Sequence, residues 1–259
     1  MKPRRREHGP PPAPPGAPSD TPRLILGIQP VRAAIRAHGA RLGAVLVESE
    51  ETPRLAALAR FARDQGVSRV EAPGRAALDR LAGSVQHQGA AAWAPPLVLH
   101  ELEPVLAEPA PLIVALDRIQ DPQNFGAVIR SAVALGASAV LWGEHASAPL
   151  GPATQRAAAG AIEFARLCRV ASLPGALQRA AEAGAQVVGL EARAERPLAA
   201  WDLRPPTVLV VGSEHAGMTP AVRRACTGFA ALASMGPVES LNASVAAAIA
   251  LYEAKKQRS

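Results

Sequence analysis

The chain has 259 residues, 49% hydrophobic and 19% charged, which is enough apolar material for one large domain or two modest ones and excludes a disordered or fibrous protein. Of the 28 basic residues behind its formal charge of +6, 25 are Arg, whose planar fork of donors suits phosphate and stacks on bases, so a polyanionic partner is expected. No apolar run approaches the roughly 18 residues of a membrane span, the basic start runs into prolines rather than a signal core, and Cys168, Cys226 and the histidines show no ligand spacing. A cytoplasmic protein with no membrane segment, metal or disulfide framework is therefore expected.

Residues 1–22 carry eight of the 25 prolines together with Lys2, Arg4, Arg5 and Arg6, and read as a solvated, disordered basic tail. Residues 23–94 alternate short apolar strands (24–28, 44–47, 67–71, 90–93) with helices around 31–37 and 53–65, which makes a small α/β module. Prolines 95, 96, 104, 109 and 111 then interrupt a stretch of little periodicity, read as a linker over 95–110. Residues 111–259 resume the alternation on a larger scale, with strands at 112–116, 139–142, 164–170, 187–190, 207–211 and 229–233. Runs such as Leu112-Ile-Val-Ala-Leu116 lack period-two alternation, as strands buried on both faces of a parallel sheet do. The fold class is α/β throughout.

Ligands of open α/β sheets bind beyond the carboxyl ends of the strands, so three loops matter most. After Leu116 comes Asp117-Arg-Ile-Gln-Asp-Pro-Gln-Asn-Phe-Gly-Ala-Val-Ile-Arg130. Asp121 suits a helix N-cap and Pro122 a first helical residue. Phe125, Val128, Ile129 and Ala132 then form one apolar stripe, leaving Gln123 and Arg130 on the opposite side. After Val211 comes Gly212-Ser-Glu-His-Ala-Gly217, whose glycines permit close backbone approach. It lacks the Lys-Ser/Thr ending of a Walker loop, and no G-x-G-x-x-G occurs, so neither a nucleotide triphosphatase nor an ordinary dinucleotide fold is expected. The third loop leads through Ser240-Leu-Asn-Ala-Ser244 into a terminal helix with an apolar set at Leu241, Val245, Ala248, Ile249 and Tyr252. Capping with core packing and a ligand role are equally compatible with its polar start, and the small residues 246–248 would admit a second helix.

Taken together, Asp121-Pro-Gln-Asn-Phe-Gly-Ala-Val-Ile-Arg130, Val211-Gly-Ser-Glu-His-Ala-Gly-Met218 and Ser240-Leu-Asn-Ala-Ser-Val-Ala-Ala-Ala-Ile249 resemble the three motifs of the SpoU family of RNA ribose 2'-O-methyltransferases, in the SPOUT class. Residues 23–94 resemble its substrate-binding domain through Leu26-Gly-Ile-Gln-Pro-Val31 and His87-Gln-Gly89. The resemblance implies a parallel sheet with a deep trefoil knot in residues 111–259, S-adenosylmethionine as cofactor and a homodimer. It assigns Gly212, Leu232, Met235, Leu241 and Asn242 to the cofactor, Arg130, Asn124 and Glu214 to catalysis, and Ser244 with Arg130 to the RNA. Leu232-Ala-Ser234 stands where the family commonly has Ile-Pro-Met. The form of the first motif is similar to the branch that methylates a guanosine of 23S ribosomal RNA. The alternatives are a methyltransferase for transfer RNA or another ribosomal site, or a catalytically inactive RNA-binding assembly factor on the same fold.

Overall fold

The computed structural model describes residues 22–83, 85–214, 216–232 and 241–259. Met235, Ser240 and His215, and all but the last residue of the basic tail, lie outside the described residues.

The N-terminal module runs β1 (Arg23–Leu26), α1 (Ile28–His38), β2 (Ala44–Val47), α2 (Pro53–Asp64), β3 (Val70–Glu71), α3 (Arg75–Ala82) and β4 (Ala90–Ala94). Its sheet has the order β1-β4-β2-β3, with only β2 and β3 parallel. Val31, Ala34 and Ile35 of α1 and Leu55, Leu58, Ala59 and Ala62 of α2 bury the stripes their spacing prescribes against one face. Helix α3 covers the other face through Leu78. The sequence reading has no helix here, because a two-turn helix with one bulky core residue leaves little periodicity.

Helix α4 (Glu103–Leu106) falls in the proline-rich stretch read as a linker. That stretch is packed: Leu102 and Val105 are buried, and the amide of His100 donates to the carbonyl of Leu167 at 2.8 Å. The prolines punctuate it without freeing it.

The C-terminal region continues β5 (Leu112–Asp117), α5 (Pro122–Ala134), β6 (Ala139–Gly143), α6 (Pro152–Ala158), β7 (Leu167–Val170), α7 (Leu173–Glu182), β8 (Gln186–Leu190), β9 (Thr207–Gly212), α8 (Pro220–Ala225), β10 (Gly228–Ala230) and α9 (Ala243–Gln257). Its six strands are all parallel, in the order β10-β8-β9-β5-β6-β7. Leu112, Val114 and Leu116 face a core shared with α5, α6 and α9, while Ile113 and Ala115 face α4, α7 and α8. Two buried faces explain the uninterrupted apolar runs.

The two regions dock through a buried ion cluster. The Glu163 side chain, 2% exposed, accepts from Arg23 at 2.8 and 3.0 Å and lies 2.8 Å from His38 Nε2. Beside it Gly160, at φ +87, lies so close to α1 that a Cβ would stand 2.5 Å from that of Ala33.

Candidate active site

Strands β5 and β9 are neighbours, yet β5 leads to β6 on one side while β9 leads to β10 on the other. The crevice above their carboxyl ends is thus the switch point of the sheet, where open α/β folds bind ligands. Asp117 and Gly212, paired in register, end the two strands there. The buried Asp117 carboxylate accepts from the amide of Thr219 and ties the two following loops together.

Asp121 caps α5 by accepting from the Gln123 amide at 3.0 Å, with Pro122 first in the helix, as its sequence prescribes. Phe125, Val128, Ile129 and Ala132 are buried, and Gln123 and Arg130 are exposed. Seven residues separate these two, about 10 Å along one face of the helix. Arg130 makes no hydrogen bond or ion pair among the described residues.

The loop after β9 closes on itself: the amide of Ser213 donates to the Gly217 carbonyl at 3.1 Å and that of Gly217 returns to Ser213 at 2.8 Å. Gly212 lies so close to this turn that a Cβ would overlap the Gly217 carbonyl carbon and the Met218 amide. The turn presents Glu214. At α9, Asn242 is the N-cap, its Oδ1 accepting from the amides of Ser244 at 2.9 Å and Val245 at 3.3 Å and from the Ser244 hydroxyl at 2.6 Å. The free Nδ2 of Asn242 donates to Asn124 Oδ1 at 3.0 Å and to Glu214 Oε1. Asn124 Nδ2 also donates to Glu214 Oε1, at 2.7 Å, and the Ala243 amide at 3.3 Å. One carboxylate oxygen thus gathers three donor residues, while Oε2 of Glu214 has no partner among the described residues. An acceptor is left facing outward. The structure joins Asn124, Glu214, Asn242 and Ser244 in this cluster, and Arg130 hydrogen-bonds none of them.

Beside the cluster opens a cleft of about 690 Å³, within the size range of small-molecule sites. Leu190, Val211, Gly212, Met218, Leu232 and Leu241 line it, with Glu191 and Ser213 among its polar groups. Gly212, Leu232 and Leu241, which the sequence resemblance assigns to the cofactor, line this cleft together, while Asn242 sits in the neighbouring cluster. Glu191 also holds Arg223 at 2.6 Å. Burial, then the nearby Glu191 and Asp117 carboxylates, push the Cys226 thiol up to about 12, so it is no nucleophile. Among the described residues no group of three His, Cys, Asp or Glu could hold a metal ion, and no helix is long and apolar enough to cross a membrane.

The family models of known proteins match both regions. Residues 111–252 match the SpoU rRNA Methylase family, and residues 24–97 match RNA 2'-O ribose methyltransferase substrate binding. The chain belongs to the SpoU family of RNA methyltransferases. Its relatives include an uncharacterized tRNA/rRNA methyltransferase of Mycolicibacterium vanbaalenii, 39% identical over 93% of this chain and 78% of that one, and one of Mycobacterium avium, 38% identical over 96% and 82%. Among solved structures, the SpoU methyltransferase AviRb from Streptomyces viridochromogenes in complex with the cofactor AdoMet superposes with a TM-score of 0.74, at 27% identity over 92% of this chain and 91% of that one. An RNA 2'-O ribose methyltransferase gives 0.74 at 28%, over 92% and 90%.

Two features of the cleft and its loops escaped the sequence reading. Asp117 stood in the quoted loop without a role, although a carboxylate at the buried end of a strand must find donors. Leu190 ends β8, Glu191 follows it, and both line the cleft; the carboxyl end of every strand of the sheet, not only of three, is where such residues lie.

Proposed function

We propose that this SpoU protein uses S-adenosylmethionine to methylate a ribose 2'-hydroxyl in RNA, at a guanosine of 23S ribosomal RNA. One observation carries the reading: Asn124, Glu214 and Asn242, from three segments far apart in the chain, meet in one hydrogen-bonded cluster at the mouth of the cleft. The residues fit the cofactor. The cleft combines apolar Leu232 and Leu241 with polar rim groups, and the missing Cβ of Gly212 lets the Gly217–Met218 turn close against the end of β9 at its wall. Gly212, Leu232, Leu241 and Asn242 would hold it, with Met235 assigned from its sequence position. S-adenosylmethionine supplies, when bound, a sulfonium methyl as electrophile.

The chain's own residues must orient the ribose and draw off the 2'-hydroxyl proton. A guanidinium is always charged and makes a poor base, so Arg130 grips the adjoining phosphate and lowers the hydroxyl's pKa electrostatically. Oε2 of Glu214 is the acceptor open to the sugar, Asn124 and Asn242 fix that carboxylate, and Ser244 binds the nucleotide. The expected assembly is a cytoplasmic homodimer. Leu241, Val245, Ile249 and Tyr252 support it, for they lie on the outer side of α9, each at least 42% exposed, while Ala243, Ala247, Ala250, Leu251 and Ala254 pack inward. Most of the apolar set read from the sequence is therefore the helix's outer face. The trefoil knot belongs to the same proposal, as does RNA selection by residues 23–94.

Mapping 2'-O-methyl groups on RNA from a deletion strain tests the reading, with loss of one 23S guanosine methyl expected. A methyl lost from transfer RNA or elsewhere in ribosomal RNA would redirect it, and unchanged maps with no cofactor binding by calorimetry would overturn it.

A further inference from the structure

The N-terminal module holds a second cleft, of about 580 Å³, between the start of α2 and the turn before β4. Its wall is well built. The amide of Gly89 donates to Nδ1 of the buried His87 at 3.0 Å, which leaves the proton on Nε2 to be donated to Asp79 at 2.9 Å. Gln88, at φ +53, is held by its side-chain carbonyl, which accepts from the Ile28 amide at 3.3 Å. Gly89 carries no Cβ where one would meet Glu48 Oε2 at 3.2 Å, so the Glu48 carboxylate lies against the floor.

The polar groups facing this cleft are largely unspent. Arg54, Thr52 and Gln86 make no side-chain hydrogen bond among the described residues, and the amide nitrogen of Gln88 has no partner there. Glu48 has only Arg75, at 3.7 Å, beyond hydrogen-bond distance. Two carboxylates, Glu48 and Asp79, argue against a plain phosphate site. A mixture of arginines, amides and an open carboxylate is instead what reads an unstacked base on its edge while gripping its backbone. A carboxylate presents two parallel acceptors, and among the four RNA bases only guanine has two adjacent N–H donors, N1 and N2, on its pairing edge.

The turn that lines this cleft also borders the C-terminal region. Val85 of the same turn and Pro152 of α6 line one small cavity, and α6 follows the carboxyl end of β6. All strands of that sheet are parallel, so this is the end at which Asn124 and Glu214 meet.

We propose that this cleft takes an unpaired guanine of the RNA, distinct from the methylated nucleotide, with Glu48 reading its N1–H and N2–H edge. Gln86 and Gln88 would contact the same base, while Arg54 and Arg75 would hold its phosphate. This rests on the RNA methyltransferase reading above. The test uses the full chain and four labelled nine-nucleotide RNAs, uridine throughout except for a central G, A, C or U, titrated by fluorescence anisotropy. The G-centred RNA should bind at least fivefold tighter than the others. Glu48→Ala and Glu48→Gln should abolish that preference and Gln88→Ala should reduce it two- to fivefold, with melting temperature and S-adenosylmethionine affinity unchanged. Equal affinity for all four RNAs, or a preference that survives both Glu48 substitutions, would overturn the proposal, as would a loss of affinity uniform across the four. Calorimetry with S-adenosylmethionine on the same sample separates the two readings. Cofactor binding without guanine preference removes only this one, and guanine preference without cofactor binding removes the methyltransferase reading alone.

Discussion

The two clefts of this protein are made of different material. That of the C-terminal region is built largely around main chain and apolar residues near element ends, with Gly212 ending β9, Leu232 following β10 and Leu241 preceding the cap of α9. The N-terminal one is built from polar side chains, the half-buried Glu48 and the exposed Arg54, Arg75, Gln86 and Gln88, around a turn fixed by His87. A backbone cleft has no slack, so single atoms decide whether it exists. In a side-chain cleft a replacement leaves the fold standing and removes only the selectivity which that side chain provides.

The sharpest break in that comparison is Gly212→Ala. Its Cβ would overlap main-chain atoms at Gly217 and Met218, which cannot rotate aside. Cofactor binding should fall below detection in calorimetry, and the fold should lose about 1–3 kcal/mol, as overpacked sites do. Wild-type affinity would show that the turn yields and that the distinction is false.

The two clefts cooperate only if their regions hold a fixed relation, and Glu163 is the bond between them. Removing one partner of a buried ion pair costs about 3–5 kcal/mol, with His38 remaining here to offset part of it. Arg23→Ala should therefore cost about 2–4 kcal/mol, read by denaturant unfolding, with a second transition as the regions separate. For the same reason, a fragment lacking residues 23–94 should carry Glu163→Gln to avoid leaving a bare buried carboxylate. A single unshifted transition would show that the regions are joined by other contacts.

Arg130 belongs to neither wall. With no hydrogen bond or ion pair among the described residues and on the outer face of α5, it should act on RNA alone, and Arg130→Ala should lower kcat about 100-fold, worth about 2.7 kcal/mol. Cofactor affinity should stay within about twofold. A parallel fall in cofactor affinity would make Arg130 part of the C-terminal cleft.

The same difference in material explains what could be read from sequence. The cap at Asp121, the stripe from Phe125 to Ala132 and the runs of β5 and β9 are local patterns, and they formed where their spacing placed them. The resemblance to SpoU motifs gathered Asn124, Glu214 and Asn242, which no local rule could bring together across more than a hundred residues. Helix α9 was legible as a helix but not in orientation. It is apolar on both sides, and only the sheet beneath it decides that Ala247 and Leu251 face in and Val245 and Ile249 face out. The N-terminal cleft escaped because polar Glu, Arg and Gln residues in loops and at helix starts have no periodicity, and their meeting depends on a turn fixed from within by a buried histidine.

The smallest expected effect is an alkaline one confined to the C-terminal region, since both cysteines lie there. Burial pushes the Cys168 thiol up to about 11, and that of Cys226 up to about 12, from the ordinary 9.0. An acid with a raised value in the fold stays protonated there while the unfolded chain has begun to release its proton. The linkage is therefore silent below about pH 9 and destabilising above it, with stability falling until each thiol ionises in the folded state at about 11 to 12. Melting temperature followed from pH 7 to 11 should fall more steeply above pH 9 for the wild type than for the double variant Cys168→Ala/Cys226→Ala. Iodoacetamide at pH 8 should alkylate both thiols far more slowly in the native protein than in the unfolded chain. Rapid native labelling of Cys226 would mean that its thiolate forms readily beside the cleft, and parallel melting curves would show that neither thiol is held in the way its burial requires.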